Sequence, residues 1–452
     1  MDRTTEILSD YACQLTYEDL PPTVVHQVKR TLVDTFGCAL GGFHAEPSVI
    51  ARRLASRVAS TTPARILGTK DTSAPDMAGF ANGVMVRYLD YNDSYFSPGG
   101  GHPSDMIPAI LAVADPLGSD GPTVITAIAV AYEVFCRLSD AVVIGDLGWD
   151  QGMFSVIGAA CGAGKVMGLE RRAMGHAISL AVVPNLPLGV TRVGELSMWK
   201  GCAAACATRA GIFAAQLAQE GITGPEAPFD GPRGLWDQAV GQPVTVGPFG
   251  GGHEPFRIAA TSFKFFPSQI HTQGPIGLAL ALRPQVNPSD IAAIRLWTYR
   301  TAVRSAATDP QKWDPQTRET ADHSIPYLVA TALHDGAVTP ASFDHDHLQN
   351  PAVRRLIAKS TVEEDPEFTQ RFPEELNCAM EITTVSGQRL MAHTPYPKGH
   401  RENPLQDVDL ETKFRQLAEG VLRESQSRAA LAQLWSLEHA PKLDVLFDHL
   451  VI

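Results

Sequence analysis

The sequence predicts a mainly α protein: a large helical body, a smaller α+β unit and a final return to helix. Three observations carry this. From Pro22 to about Pro248 apolar residues recur at helical spacing, with many small residues among them. Past Gly247-Pro-Phe-Gly-Gly-Gly252 the texture changes to period-two segments and turns. From Leu405 to Ile452 the pattern is helical again.

Val24, Val25, Val28, Leu32, Val33 and Phe36 follow the i, i+3, i+4 spacing of one buried helix face. Pro21-Pro22-Thr23 suits the start of that helix, and Gly41-Gly42 its stop. Further helices are predicted at Met77–Tyr88, Asp105–Ala114, Thr123–Val143, Val156–Met167 and Lys200–Gln219. The last two are dense in Ala and Gly, so tight helix packing is expected. In the second unit, Ile294–Tyr299 alternates as a half-exposed strand. Cys378–Val385, Ser386-Gly387 and Gln388–His393 form a predicted hairpin. Helices are predicted at Thr272–Leu282 and Ile325–His334.

At 452 residues the chain is long enough for two or three domains, or for one large folded body. Hydrophobic residues make up 44% and charged ones 19%, below the roughly 25% usual in soluble domains, so disorder is excluded. Lys plus Arg number 37 and Asp plus Glu 49, giving 37 − 49 = −12. That balance disfavours nucleic acid or an anionic membrane as partner. The N-terminal MDRTTEILSDYACQL carries acids early and has no long apolar stretch, unlike a targeting segment. The run Val124–Tyr132 is far shorter than the roughly 20 residues of a membrane span, so a cytoplasmic protein is expected. Seven scattered cysteines without CxxC argue against a disulfide framework or an iron–sulfur cluster. Cys202 and Cys206, one turn apart among alanines, are expected to be small core residues.

The densest polar cluster runs from Arg87 to Asp105, where a glycine-rich loop joins two helices. It gathers Asp90, Asp93, Ser94 and His102, a combination suited to proton transfer as well as to helix capping. Burial behind an apolar turn is expected to raise the Asp90 pKa toward that of a useful base. Lys200 and Lys264 stand alone among apolar and aromatic neighbours, with His271 seven residues after Lys264. Asp322-His323-Ser324 opens a helix bearing Tyr327, which suits either a cleft or the core. Asp344-His-Asp-His347 is expected to decorate a surface loop rather than bind metal. Gly250-Gly-Gly-His253 fits neither a phosphate loop nor a dinucleotide site. GxSxG and HExxH motifs are absent.

Taken together, LVDTFGCALGG (32–42), RYLDYNDSY (87–95), HPSD (102–105), WKGCAAACATRAG (199–211), GPRGLWD (231–237), FKFFPSQIHTQ (263–273), ADHSIPYLVATALHDG (321–336) and YPKGHRENP (396–404) resemble the MmgE/PrpD family essentially end to end. That family contains 2-methylcitrate dehydratases, cis-aconitate decarboxylases and an iminodisuccinate epimerase. The resemblance implies an all-helical domain over 1–254 and 398–452, containing both chain ends, and an α+β lid over 255–397. It also implies a homodimer acting on a small polycarboxylate, with no metal and no cofactor. Its catalytic set falls on Asp90, His102, Lys200 and Tyr327. Ser94, Gln151, Lys264, Ser268, His271, Gln273 and His323 are then expected to face the substrate. The histidine that decarboxylase-like relatives carry near residues 149–151 is missing from Trp149-Asp150-Gln151, and Gln273 replaces another. The expected reaction is dehydration of 2-methylcitrate or a close tricarboxylate such as citrate, in propionate catabolism. Asp90 or His102 would take the proton. The other of the pair, or Tyr327, would protonate the leaving hydroxyl, and Lys200, Lys264, His271 and His323 would neutralise carboxylates. Decarboxylation of cis-aconitate and epimerisation of a small dicarboxylate remain open at this level.

Overall fold

A computed structural model describes all 452 residues. It is 57% helical and 9% strand, as the mainly α expectation required. Nine helices precede the change of texture: α1 (Arg3–Gln14), α2 (Pro22–Gly41), α3 (Glu46–Ala55), α4 (Pro75–Tyr88), α5 (Ile107–Leu117), α6 (Gly121–Ala141), α7 (Gly152–Val166), α8 (Arg171–Val182) and α9 (Trp199–Gln219). Proline at the first position of α2 costs nothing, because that N–H has no helical acceptor. The apolar face foreseen for α2 is the face it buries.

Helix α9 packs against α4, α7 and α8, and its small residues are what permit this. A Cβ on Gly211 would lie 2.7 Å from the Val156 carbonyl oxygen of α7. One on Gly83 of α4 would lie 2.9 Å from the Ala205 Cβ. Neither backbone can retreat without opening the core. Cys202 and Cys206 are only half-buried, short of the core position expected of them.

The second unit holds α10 (Gln273–Leu282), α11 (Arg300–Ala306), α12 (Arg318–Ala321), α13 (Ile325–Asp335), α14 (His345–Leu348), α15 (Pro351–Ile357) and α16 (Pro366–Arg371). Its strands are β1 (Ile291–Thr298), β2 (Ser360–Glu364), β3 (Cys378–Thr384) and β4 (Arg389–Thr394), in the order β2-β1-β3-β4. Strand β3 buries every second residue, and the β3–β4 hairpin stands where the sequence placed it. Strand β2 pairs parallel to β1 at the sheet edge. Its polar Ser-Thr-Val-Glu-Glu carries no strand signal and suits an edge. Helices α17 (Asp407–Ala418), α18 (Glu424–Trp435) and α19 (Asp444–His449) end the chain.

Apolar side chains form two large cores. One runs from Leu8 to Phe263 and resumes from Leu405 to Leu450, so α17–α19 pack on the first nine helices. The other spans Phe266 to Leu390 and takes in Phe96. A short antiparallel ladder, Ser94–Tyr95 with Thr261–Ser262, ties the polar loop after α4 to the chain entering the second core. No helix is long and apolar enough to cross a membrane.

Candidate active site

Helix α4 ends at Tyr88, and two residues later Asp90 takes a left-handed backbone with φ 50°. That conformation is strained for a residue with a Cβ and persists only where surroundings over-determine it. Here they do. Arg87 Nη1 donates to Asp90 Oδ1 at 2.5 Å. Lys264 Nζ donates to the Asp90 carbonyl at 2.7 Å and also pairs with its carboxylate. Lys200 Nζ, in the first turn of α9, lies 3.1 Å from Asp90 Oδ2 and donates to both oxygens of Asp322 at 2.9 and 2.7 Å. His323 Nδ1 donates to Asp322 Oδ1 at 2.6 Å. Four segments far apart in sequence thus meet in one buried ion cluster.

Burial alone would raise the Asp90 pKa. Arg87, Lys200, Lys264 and His323 outweigh it and hold the carboxyl well below its usual range. This reverses the expectation of a raised pKa. A carboxylate wholly closed off from solvent and ringed by cations is a poor proton acceptor. For Asp322, likewise, Lys200 and His323 overcome burial and lower the pKa. Burial, opposed by Asp90, brings Lys264 down to about 8.

His102 is held differently. Its backbone N–H donates to Gln151 Oε1 at 2.8 Å. Its Nδ1 lies 2.7 Å from the Asp93 carbonyl oxygen and 3.0 Å from Ser94 Oγ. A carbonyl only accepts, so Nδ1 carries the proton and Nε2 the lone pair. Burial, Arg87 and Lys264 push the imidazole pKa well below 6.5, keeping it neutral. Gln151 Nε2 donates in turn to Asp105 Oδ2 at 3.2 Å. Asp93, whose pKa burial raises to about 7, accepts from the Ser104 N–H at 3.1 Å and the Tyr132 hydroxyl at 2.8 Å.

These groups edge a cavity of about 640 Å³ between the two cores. Arg87, Ser94, His102, Gln151 and Arg192 line it from the first core's side. Gln269, His271, Thr301, Ser305, His323 and Phe372 line it from the other. His271 Nδ1 lies 2.6 Å from the Tyr299 hydroxyl, and burial lowers its pKa to about 4. His323, buried and beside Lys200, is brought down to about 3.

Of the expected site residues, Ser94, His102, Gln151, His271 and His323 therefore meet at the cavity wall. Asp90, Lys200 and Lys264 lie behind it, and both lysines are engaged with Asp90 and Asp322 rather than free for a substrate. Tyr327 is not brought to the cavity. Its hydroxyl donates to the Ser342 carbonyl and sits 2.6 Å from His347 Nδ1, inside the second core. His347 Nε2 in turn lies 2.6 Å from Asp335 Oδ2, while Asp344, His345 and Asp346 are exposed, as expected of a surface run. Ser268 and Gln273 are also structural. Gln273 Oε1 accepts from the N–H groups of Phe265 and Phe266, while its Nε2 donates to Phe266 O, Ser268 O and Ser268 Oγ. Arg87, Asp322 and Arg192 were not singled out from sequence. The first two flank residues that were, whereas Arg192 has no local signal.

Asp90, Asp322 and His323 are close enough to share a metal ion. Arg87, Lys200 and Lys264 already occupy those carboxylates, however, so a metal would meet three cations at contact distance. The donor set fits ammonium and guanidinium groups better.

Residues 6–246 match the MmgE/PrpD N-terminal domain and residues 266–438 the MmgE/PrpD C-terminal domain. The chain is 27% identical over 431 residues to the 2-methylcitrate dehydratase of Escherichia coli K12, covering 88% of this chain and 86% of that one. A 2-methylcitrate dehydratase-like protein of Aspergillus oryzae is also 27% identical, over 442 residues, with 89% and 86% covered. Human cis-aconitate decarboxylase is 25% identical over 426 residues, with 89% and 85% covered. With both family domains matched over almost its whole length, the chain belongs to the MmgE/PrpD family of enzymes.

Proposed function

We propose that this protein is a cofactor-independent hydro-lyase that dehydrates 2-methylcitrate or a closely related tricarboxylate. The observation that carries the reading is His102: neutral, tautomerically set by the Asp93 carbonyl, and presenting Nε2 at the edge of the buried ion cluster, 4.0 Å from the Asp90 carboxylate. In this reading Nε2 removes the proton next to a substrate carboxylate. Arg87, on the cavity wall, stabilises the enolate-like charge that develops. Asp90 serves as the anchor of Arg87, Lys200 and Lys264, not as the base. His323, backed by Asp322, protonates the departing hydroxyl. Its low pKa in the free enzyme rises when an anionic substrate sits beside it, because negative charge favours imidazolium. Residues 255–397 act as the lid that excludes water. A homodimer is part of the same proposal, supported by the exposed apolar Leu188, Val190, Val193 and Trp199 on one stretch of the surface.

The test is proton NMR in deuterated buffer with 2-methylcitrate, citrate and cis-aconitate. Formation of 2-methyl-cis-aconitate, with loss of the starting signals, supports the dehydratase. Itaconate methylene signals from cis-aconitate would replace it with a decarboxylase. Deuterium wash-in without net conversion would indicate an epimerase.

A further inference from the structure

We propose that Arg192 is a carboxylate-binding subsite that gives this enzyme its preference for tricarboxylates over dicarboxylates. The inference rests on the polycarboxylate reading above and names a residue that fixes its substrate class.

Arg87 and Arg192 are the only Lys or Arg side chains on the cavity wall. Arg87 is held by Nη1 on Asp90, while its Nε lies 3.8 Å from Asp105 without a hydrogen bond. Arg192 is half committed. Its Nε donates to Asp150 Oδ2 at 2.8 Å, whereas Nη1 and Nη2 are buried without any partner. Unpaired guanidinium nitrogens shut off from water are costly unless an anion completes them. A carboxylate matches the pair of donors left free on the fork.

The anchor is rigid. Asp150 is buried, and its other oxygen accepts from the Gly152 N–H at 3.0 Å at the start of α7. Gln151, the next residue, holds the His102 backbone, so the anchor of the guanidinium and that of the base are adjacent in the chain. The segment carrying Arg192 is also clasped from the other side of the cavity. Asp309 accepts from the Gly194 N–H, and Thr320 Oγ1 from the Leu196 N–H. In a protein of net charge −12, a trianion needs such a local cation to enter. With one carboxylate beside Arg87 and His102, the cavity places Arg192 to receive another.

The test compares the wild type with Arg192→Gln and Arg192→Lys, using 2-methylcitrate turnover and calorimetric binding of tricarballylate and glutarate. Arg192→Gln should raise KM at least tenfold while kcat stays within about threefold, the pattern of lost substrate binding. It should also remove most of the wild type's preference for tricarballylate over glutarate. Arg192→Lys, which keeps charge but not the fork, should fall between. An Arg192→Gln protein that binds tricarballylate as the wild type does would overturn the subsite and leave the dehydratase reading intact. A wild type that binds neither acid and turns over no polycarboxylate would overturn both.

Discussion

Replacing His102 by Asn isolates the proposed base from the charged cluster behind it. The imidazole is neutral in the free enzyme, so the substitution removes no charge from the site. The Asn amide can still donate to the Asp93 carbonyl that now accepts from Nδ1, and the backbone bond to Gln151 does not involve the side chain. The hydrogen-bond loss is therefore at most about 1 kcal/mol. What disappears is Nε2. A positioned general base contributes about 10²–10⁴ in rate, or roughly 2.7–5.5 kcal/mol of barrier. The expected result is a fall in kcat of that size, KM within a few-fold, and a melting temperature within a few degrees of the wild type. Deuterium incorporation at the substrate carbon should fall in parallel, since it reports the same proton transfer. A His102→Asn enzyme retaining kcat within threefold would refute the assignment. Proton removal would then have to be sought at another lone pair on the wall, His323 or His271.

Lys413→Met tests the helix that returns from the chain's end. Lys413 Nζ donates to Asp34 at 2.6 Å and to the carbonyls of Tyr91 and Lys264 at 2.7 and 2.9 Å, holding the residue after Asp90 and the backbone of Lys264 itself. Stranding the buried Asp34 should cost about 3–5 kcal/mol in denaturant unfolding. Adding Asp34→Asn should recover much of that stability, while kcat stays depressed because the two carbonyls remain unheld. In the free enzyme His102 is a competent base above its lowered pKa, and Lys264 is charged below about 8. Measured kcat/KM should therefore fall with rising pH above the low pKa of His323, which must be protonated to act as the acid, and fall more steeply as pH rises through about 8. Lys264→Arg, which keeps its charge, should move that upper limb higher; an unmoved limb would remove Lys264 from the profile. Tyr327→Phe should keep kcat within about threefold while costing about 1–3 kcal/mol of stability, since it leaves the Ser342 carbonyl unpaired. A large loss of kcat would place the hydroxyl back at the reaction.

Local pattern determined much of this protein. The helical body, the small-residue helices α7 and α9, the β3–β4 hairpin and the polar loop from Arg87 to Asp105 all follow from spacing within 10 to 20 residues. So does the choice of His102, because the loop that holds it is contiguous and its partners Asp93 and Ser94 lie within nine residues. Tertiary structure decided the rest. Lys264 reaches Asp90 across 174 positions, Lys200 reaches Asp322 across 122, and Lys413 reaches Asp34 across 379. Those closures depend on how helices dock, which periodicity does not encode. They turn Asp90 from an expected base into an ion-pair anchor, because a pKa belongs to the charges around a group rather than to its place in a motif. They also draw Tyr327 into the second core, and leave Arg192, featureless in sequence, lining the cavity with two guanidinium nitrogens unpaired.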